Sequence, residues 1–354
     1  MAESGARDAQ SIYQVEPAGQ FAYLSGGQDH YPKRLTFRHA DIEDRHCNEL
    51  ITLGGFDTAD GGLNYDYAFE TCKVIALNRS GKLLDEQKRE VDPQSNGGNL
   101  PPGEYYYSID RKPGEAPYAI ANKLSDWKMP EELDKRWYNG VEMKSLDPTT
   151  RDFRTSVINR DGSCRMSKWT TGLEAAHLVD VCDQEWYMAQ NLRHLNRDAC
   201  QTIRPIHTSS NGIALRADLH QAFEQDAFVL FPKSKGCYEV HVLEQRPDLL
   251  AVFHRCRTHT LYCDAMHLYA RFAIVTLKMR ERVYNLENSN REPRRSASFE
   301  KWCSKKRQEN QVGGAGTHDE YDRLDISSGQ STPISETSEY MVWPEELYSG
   351  VPRT

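Results

Sequence analysis

An α+β fold is predicted, because two kinds of hydrophobic pattern alternate along the chain. Leu35-Thr-Phe-Arg-His39, Tyr105-Tyr-Tyr-Ser-Ile109, Phe228-Val-Leu-Phe231 and Tyr238-Glu-Val-His-Val-Leu243 are short, aromatic or β-branched, and strand-like. Other segments carry helical spacing: Tyr67, Cys72, Val74 and Ile75 within Leu63 to Asn78, and the run from Ala217 to Gln225. Glycine and proline pairs, Gly97-Gly98 and Pro101-Pro102, cut the first half into short pieces joined by loops.

Taken in order, residues 1–32 are polar, lack periodicity and are expected to form a disordered tail. Residues 33–126 hold a strand at Leu35, a helix stopped by Asn78-Arg-Ser-Gly81, and the Tyr105 strand. No catalytic constellation occurs there, so this part reads as an accessory region. Residues 127–150, with Trp127, Trp137 and prolines, read as a connector. Residues 151–285 are densest in apolar pattern and in polar motifs. Residues 286–354 are rich in Ser, Thr and Glu and read as a second disordered tail. Two basic clusters, Arg294-Arg295 and Lys305-Lys306-Arg307, lie nine residues apart and resemble a bipartite nuclear import signal.

Composition narrows the function classes. The hydrophobic share is 38%, low for a chain folded throughout its 354 residues. A net charge of −8 argues against indiscriminate nucleic-acid binding, which rests on a basic surface. Between Arg151 and Arg282, however, 18 Lys and Arg face 15 Asp and Glu, so that segment is mildly positive. Nine widely spaced cysteines without a Cys-x-x-Cys pair argue against a disulfide scaffold or zinc ribbon and suggest reduced, packed thiols, Cys164 among them. No apolar run approaches the roughly 20 residues of a membrane span. The first residues lack a signal-peptide pattern, so an intracellular, membrane-free protein is expected.

The chemistry concentrates between Cys164 and Cys237. Leu173 to Val179 is apolar apart from Glu174 and His177, the pattern of a strand whose end delivers one polar side chain. An imidazole with an ordinary pKa near 6.5 suits a general base, although a hydrogen-bonded core histidine would give the same pattern. Asn211-Gly212 is a turn signal leading to Ile213-Ala-Leu-Arg and then the short helix. His220 and Glu224, four residues apart, share a face of that helix and can hold a divalent cation, or simply bond to each other. Phe228 to Leu243 around Pro232-Lys-Ser-Lys-Gly236 is a hairpin signature. Lys233 and Lys235 at its tip are expected to meet phosphate or water, and His241 to be structural. His207 is either an extra ligand or an exposed loop residue.

In order and spacing these residues resemble the HNH endonuclease family, in particular its fungal branch with Ala-Ala-His in the first motif. Ala176-His177 resembles that motif, Asn211 the central asparagine, and His220 with Glu224 the helix-borne metal ligands. Leu268-Tyr-Ala-Arg-Phe-Ala273 is similar to the Arg-Phe-Ala helix of fungal members, and Glu185-Trp-Tyr-Met-Ala-Gln-Asn191 to their aromatic insertion. The resemblance covers about residues 150–285 and only loosely what precedes them. It implies a ββα-metal nuclease domain hydrolysing DNA phosphodiester bonds, with RNA as an alternative substrate. His177 would take a proton from the attacking water, and Asn211 would hold the histidine-bearing loop. His220 and Glu224 would bind one divalent ion, Mg²⁺ foremost and Mn²⁺ or Zn²⁺ as alternatives. Arg216 and Arg204 would meet nucleic-acid phosphates.

Three positions depart from the family pattern. Ala176 replaces a further ligand, Glu224 a shorter aspartate, and Asp180 a proline. An inactive, HNH-derived module binding nucleic acid or protein is therefore the alternative reading. A closed structural metal site is disfavoured, because two protein ligands leave the coordination sphere open.

Overall fold

The computed structural model describes residues 33–289, apart from 46, 113, 143, 145–151, 193–204 and 235–236. Alternation in the first strand, β1 (Arg34–His39), buries Leu35, Phe37 and His39. It pairs antiparallel with β2 (Glu49–Gly54). After the short β3 (Leu63–Asn64), helix α1 (Tyr65–Ile75) begins where the Asn64 side chain accepts the Tyr67 N–H at 3.0 Å. It ends before the expected Asn78, because Leu77 and Asn78 already adopt left-handed backbone at φ 58° and 63°. Then come β4 (Lys82–Leu84), β5 (Asn99–Leu100), which pairs with β3, and β6 (Gly103–Ser108). The main sheet has the order β2-β1-β6-β4, with β1 and β6 parallel and the other neighbours antiparallel.

The second half starts with α2 (Phe153–Asp161), capped by Asp152 and closed by Gly162 at φ 67°. Strand β7 (Leu173–His177), helix α3 (Gln184–Ala189), strand β8 (Gly212–Arg216) and helix α4 (Ala217–Glu224) follow. β7 and β8 are antiparallel, with His177 opposite Gly212, and α4 continues from β8 without a linker. The expected hairpin is present as β9 (Phe228–Ser234) and β10 (Cys237–Val242). Helices α5 (Pro247–Val252) and α6 (Ala265–Ser289) complete an α+β arrangement.

One core serves both halves. From His267 to Leu277 every residue of α6 is buried, as in a helix covered on all sides. On one side Phe272 meets Tyr67 of α1, Phe231 of β9 and Trp137 at ring-centroid distances of 5.3–5.8 Å. Trp127 and Trp137, in the segment that reads as a connector, are 1% and 0% exposed. On the other side Ala270 and Ile274 pack with Val179, Tyr187, Leu192 and Ile206. These are the flanks of the loops that carry the polar cluster described next. Among the described residues no helix is long and apolar enough to cross a membrane.

Candidate active site

His177 stands at the end of β7, with its ring stacked on Phe153 of α2 at 3.9 Å between centroids and 11° between planes. The stacking depends on the glycine across the ladder. A Cβ on Gly212 would lie 2.5 Å from Val157 Cγ2 and 2.8 Å from the Phe153 ring, so a larger residue would push α2 away.

Asn211 is fully buried and joins two loops. Its Oδ1 accepts the Val179 N–H at 2.8 Å, while Nδ2 donates to the carbonyls of Val179 and Ile206, both at 3.0 Å. One loop follows His177 and the other contains His207. The clasp therefore sets the two imidazoles together, His177 Nε2 lying 3.1 Å from His207 Nδ1. Behind it, buried Arg160 donates to the carbonyls of Ser209 and Gly212 on either side of Asn211, and Asp161 accepts the Ala214 N–H at 2.7 Å. Arg160 and Asp161 are themselves ion-paired at 2.7 Å. Sequence reasoning missed Phe153, Arg160 and Asp161, since nothing local marks a residue whose partners lie 24 to 53 positions further along the chain.

Burial, followed by the neighbouring charge of His207, lowers the His177 pKa from its ordinary 6.5 to about 4. The ring is neutral at neutral pH. Asp180 works in the opposite sense but is turned to the Cys182 N–H at 2.9 Å.

One turn into α4, His220 lies between two carboxylates. Its Nδ1 is 2.7 Å from Glu174 Oε2 and its Nε2 is 3.1 Å from Glu224 Oε1. The end of α4 is tethered by Arg271 of the Arg-Phe-Ala stretch, which is buried, donates to the Phe223 carbonyl and pairs with Asp226 at 2.9 Å. Two adjacent ligands on an octahedral ion with bonds of about 2.1 Å sit about 3 Å apart, so His220 Nε2 and Glu224 fit one divalent cation. The same distance suits a hydrogen bond. Arg216, at the start of α4, is held by Asp218 through two 2.6 Å bonds and lies 5.4 Å over the exposed Trp169 ring. Arg204 lies outside the described residues, as do Lys235 and both basic clusters near the C-terminus.

A second polar cluster lies away from these residues. Asp57, His241 and His254 bring three donor atoms within 4.8 Å of one another, close enough to suggest a metal centre. Their hydrogen bonding argues otherwise. His254 Nδ1 accepts the Val242 N–H at 3.2 Å, which places the ring proton of the neutral form on Nε2, facing Asp57 at 3.3 Å. That nitrogen has no lone pair to give. Lys233 supplies the positive charge instead, its ammonium bonded directly to Asp57. This corrects the expectation for Lys233: β9 extends to Ser234, so the lysine belongs to the strand and is buried rather than at a solvated tip. Burial opposes the Asp57 charge, yet Lys233 and the two histidines hold its pKa well below the usual range.

Residues 157–230 match the family model for HNH endonucleases. The match runs from within α2 into β9 and includes His177, Asn211, His220 and Glu224. No curated protein and no solved structure matches the chain.

Proposed function

We propose that this protein is a metal-dependent endonuclease of the HNH type that hydrolyses DNA phosphodiester bonds, with β7, β8 and α4 as a ββα-metal module. The carrying observation is that the HNH-matching segment holds a neutral His177, within electrostatic reach of His220, together with the His220–Glu224 pair. His177 Nε2 faces His207, while Nδ1 has no hydrogen-bond partner among the described residues. Nδ1 is thus the nitrogen that accepts the proton of the attacking water, with Nε2–H donated to His207. Asn211 holds that geometry by fixing both loops. His220 and Glu224 would hold one divalent ion, with Mg²⁺ the first choice and Mn²⁺ or Zn²⁺ the alternatives. Such an ion supplies positive charge for the scissile phosphate and the departing oxygen. Arg216 contributes to phosphate binding after exchanging Asp218 for the substrate. The Ala-Ala-His form favours the fungal branch of the family, and the two basic clusters favour nuclear import.

A second reading rests on the polar network itself. His220 is flanked by Glu174 and Glu224, and Arg216 is paired with Asp218, so each of these side chains already has a neighbour of complementary chemistry within the protein. An inactive module that binds nucleic acid or protein would have this property. Supercoiled plasmid separates the readings. The nuclease nicks it with Mg²⁺, Mn²⁺ or Zn²⁺ but not with EDTA, and both His177→Ala and His220→Ala lose nicking while remaining folded. Binding that persists in EDTA, with no cleavage under any ion, would establish the module instead.

A further inference from the structure

We propose that Glu174 is a positioning residue that fixes the tautomer and orientation of His220, an inference that rests on the metal reading of the His220–Glu224 pair. The two ring nitrogens of an imidazole point away from each other. Glu174 sits on Nδ1 at 2.7 Å and Glu224 on Nε2 at 3.1 Å, so the two carboxylates cannot share one ion through this ring. Consistent with this, the one group of three donor side chains converging among the described residues is the Asp57 cluster, not Glu174, His220 and Glu224.

Glu174 therefore acts from outside the coordination sphere. It accepts the Nδ1 proton, which leaves the Nε2 lone pair facing Glu224, the arrangement in which a carboxylate orients a metal-binding histidine and raises its basicity. The fold builds this contact across two elements. β7 pairs with β8 so that Glu174 lies opposite Leu215, and α4 begins at Ala217, bringing His220 back over the strand. His220 is the more buried partner, with 17% of its side chain exposed against 45% for Glu174, so the helix presents the ring and the strand carboxylate locks it.

The test uses the full chain labelled with ¹⁵N-histidine, comparing wild type with Glu174→Ala and Glu174→Gln. The metal-free His220 tautomer is read from its imidazole nitrogen shifts on the alkaline plateau of its titration, with assignment by His220→Gln. Mn²⁺ affinity is measured by calorimetry on the same samples. Wild type is expected to hold a single Nδ1–H tautomer, Glu174→Ala a mixture with Mn²⁺ binding weakened about 10- to 100-fold, and Glu174→Gln an intermediate loss because its amide oxygen still accepts the proton. An unchanged tautomer and affinity in Glu174→Ala would overturn the proposal. A wild type that binds no Mn²⁺ while its His220 tautomer still follows Glu174 would uphold the positioning role and remove the metal reading beneath it.

Discussion

Replacing Asn211 by alanine is expected to loosen both histidine-bearing loops at once. The substitution removes three hydrogen bonds and strands the Val179 N–H, the Val179 carbonyl and the Ile206 carbonyl in a fully buried site. Each orphaned buried group costs about 1–3 kcal/mol, and the carbonyls less than the N–H because they keep a second lone pair. A total of about 3–5 kcal/mol follows, a large part of the 5–15 kcal/mol typical of a folded domain. Urea unfolding followed by fluorescence and circular dichroism should show a lower midpoint with little change in slope. Separating His207 from His177 also removes one of the influences that lower the His177 pKa, so its NMR titration should move upward. A stability loss under about 1 kcal/mol with an unmoved titration would refute the clasp as the element that assembles the pair.

Three further outcomes are expected. Between pH 6.5 and about 4 the unfolded chain protonates at His177 and His259 while the folded one resists, so stability should fall as pH drops through that window, and a pH series of denaturant midpoints checks it. Lys233→Met leaves the Asp57 carboxylate buried without its cation and should cost about 3–5 kcal/mol, whereas adding Asp57→Asn should recover much of the loss, as a double-mutant cycle by thermal unfolding would show. Gly212→Ala forces Val157 and Phe153 aside, costing about 1–3 kcal/mol and moving the His177 ring resonances through loss of the Phe153 ring current, and unchanged resonances would count against that stacking contact.

Local pattern carried much of what sequence could reveal. β1, the β9–β10 hairpin and α4 each announce themselves by period or turn chemistry, and the His220–Glu224 pair is visible because a helix brings i and i+4 together. Partnerships between distant residues were not visible. Lys233 meets Asp57 from another part of the chain, and no property of Pro232-Lys-Ser-Lys-Gly236 distinguishes a buried strand lysine from one at a wet turn. Glu174 stood out as a polar interruption in an apolar strand, but its partner depends on how α4 folds back over β7. Trp137 lies in a proline-bearing segment that reads as a connector, yet its ring sits among Phe231, Tyr238, Tyr269 and Phe272.

The shared core also sets how finely the protein can be divided. The HNH-matching segment stops at residue 230, in the middle of β9, leaving that strand's partner β10 and the α6 cover on the far side of the cut. A fragment trimmed to the match would expose Phe228, Val229 and Leu230 along an open strand edge, a surface prone to pairing with other copies. The smallest portable version of this site is therefore close to the whole of residues 33–289, and grafting it elsewhere means carrying the N-terminal sheet and the long helix along with the motif.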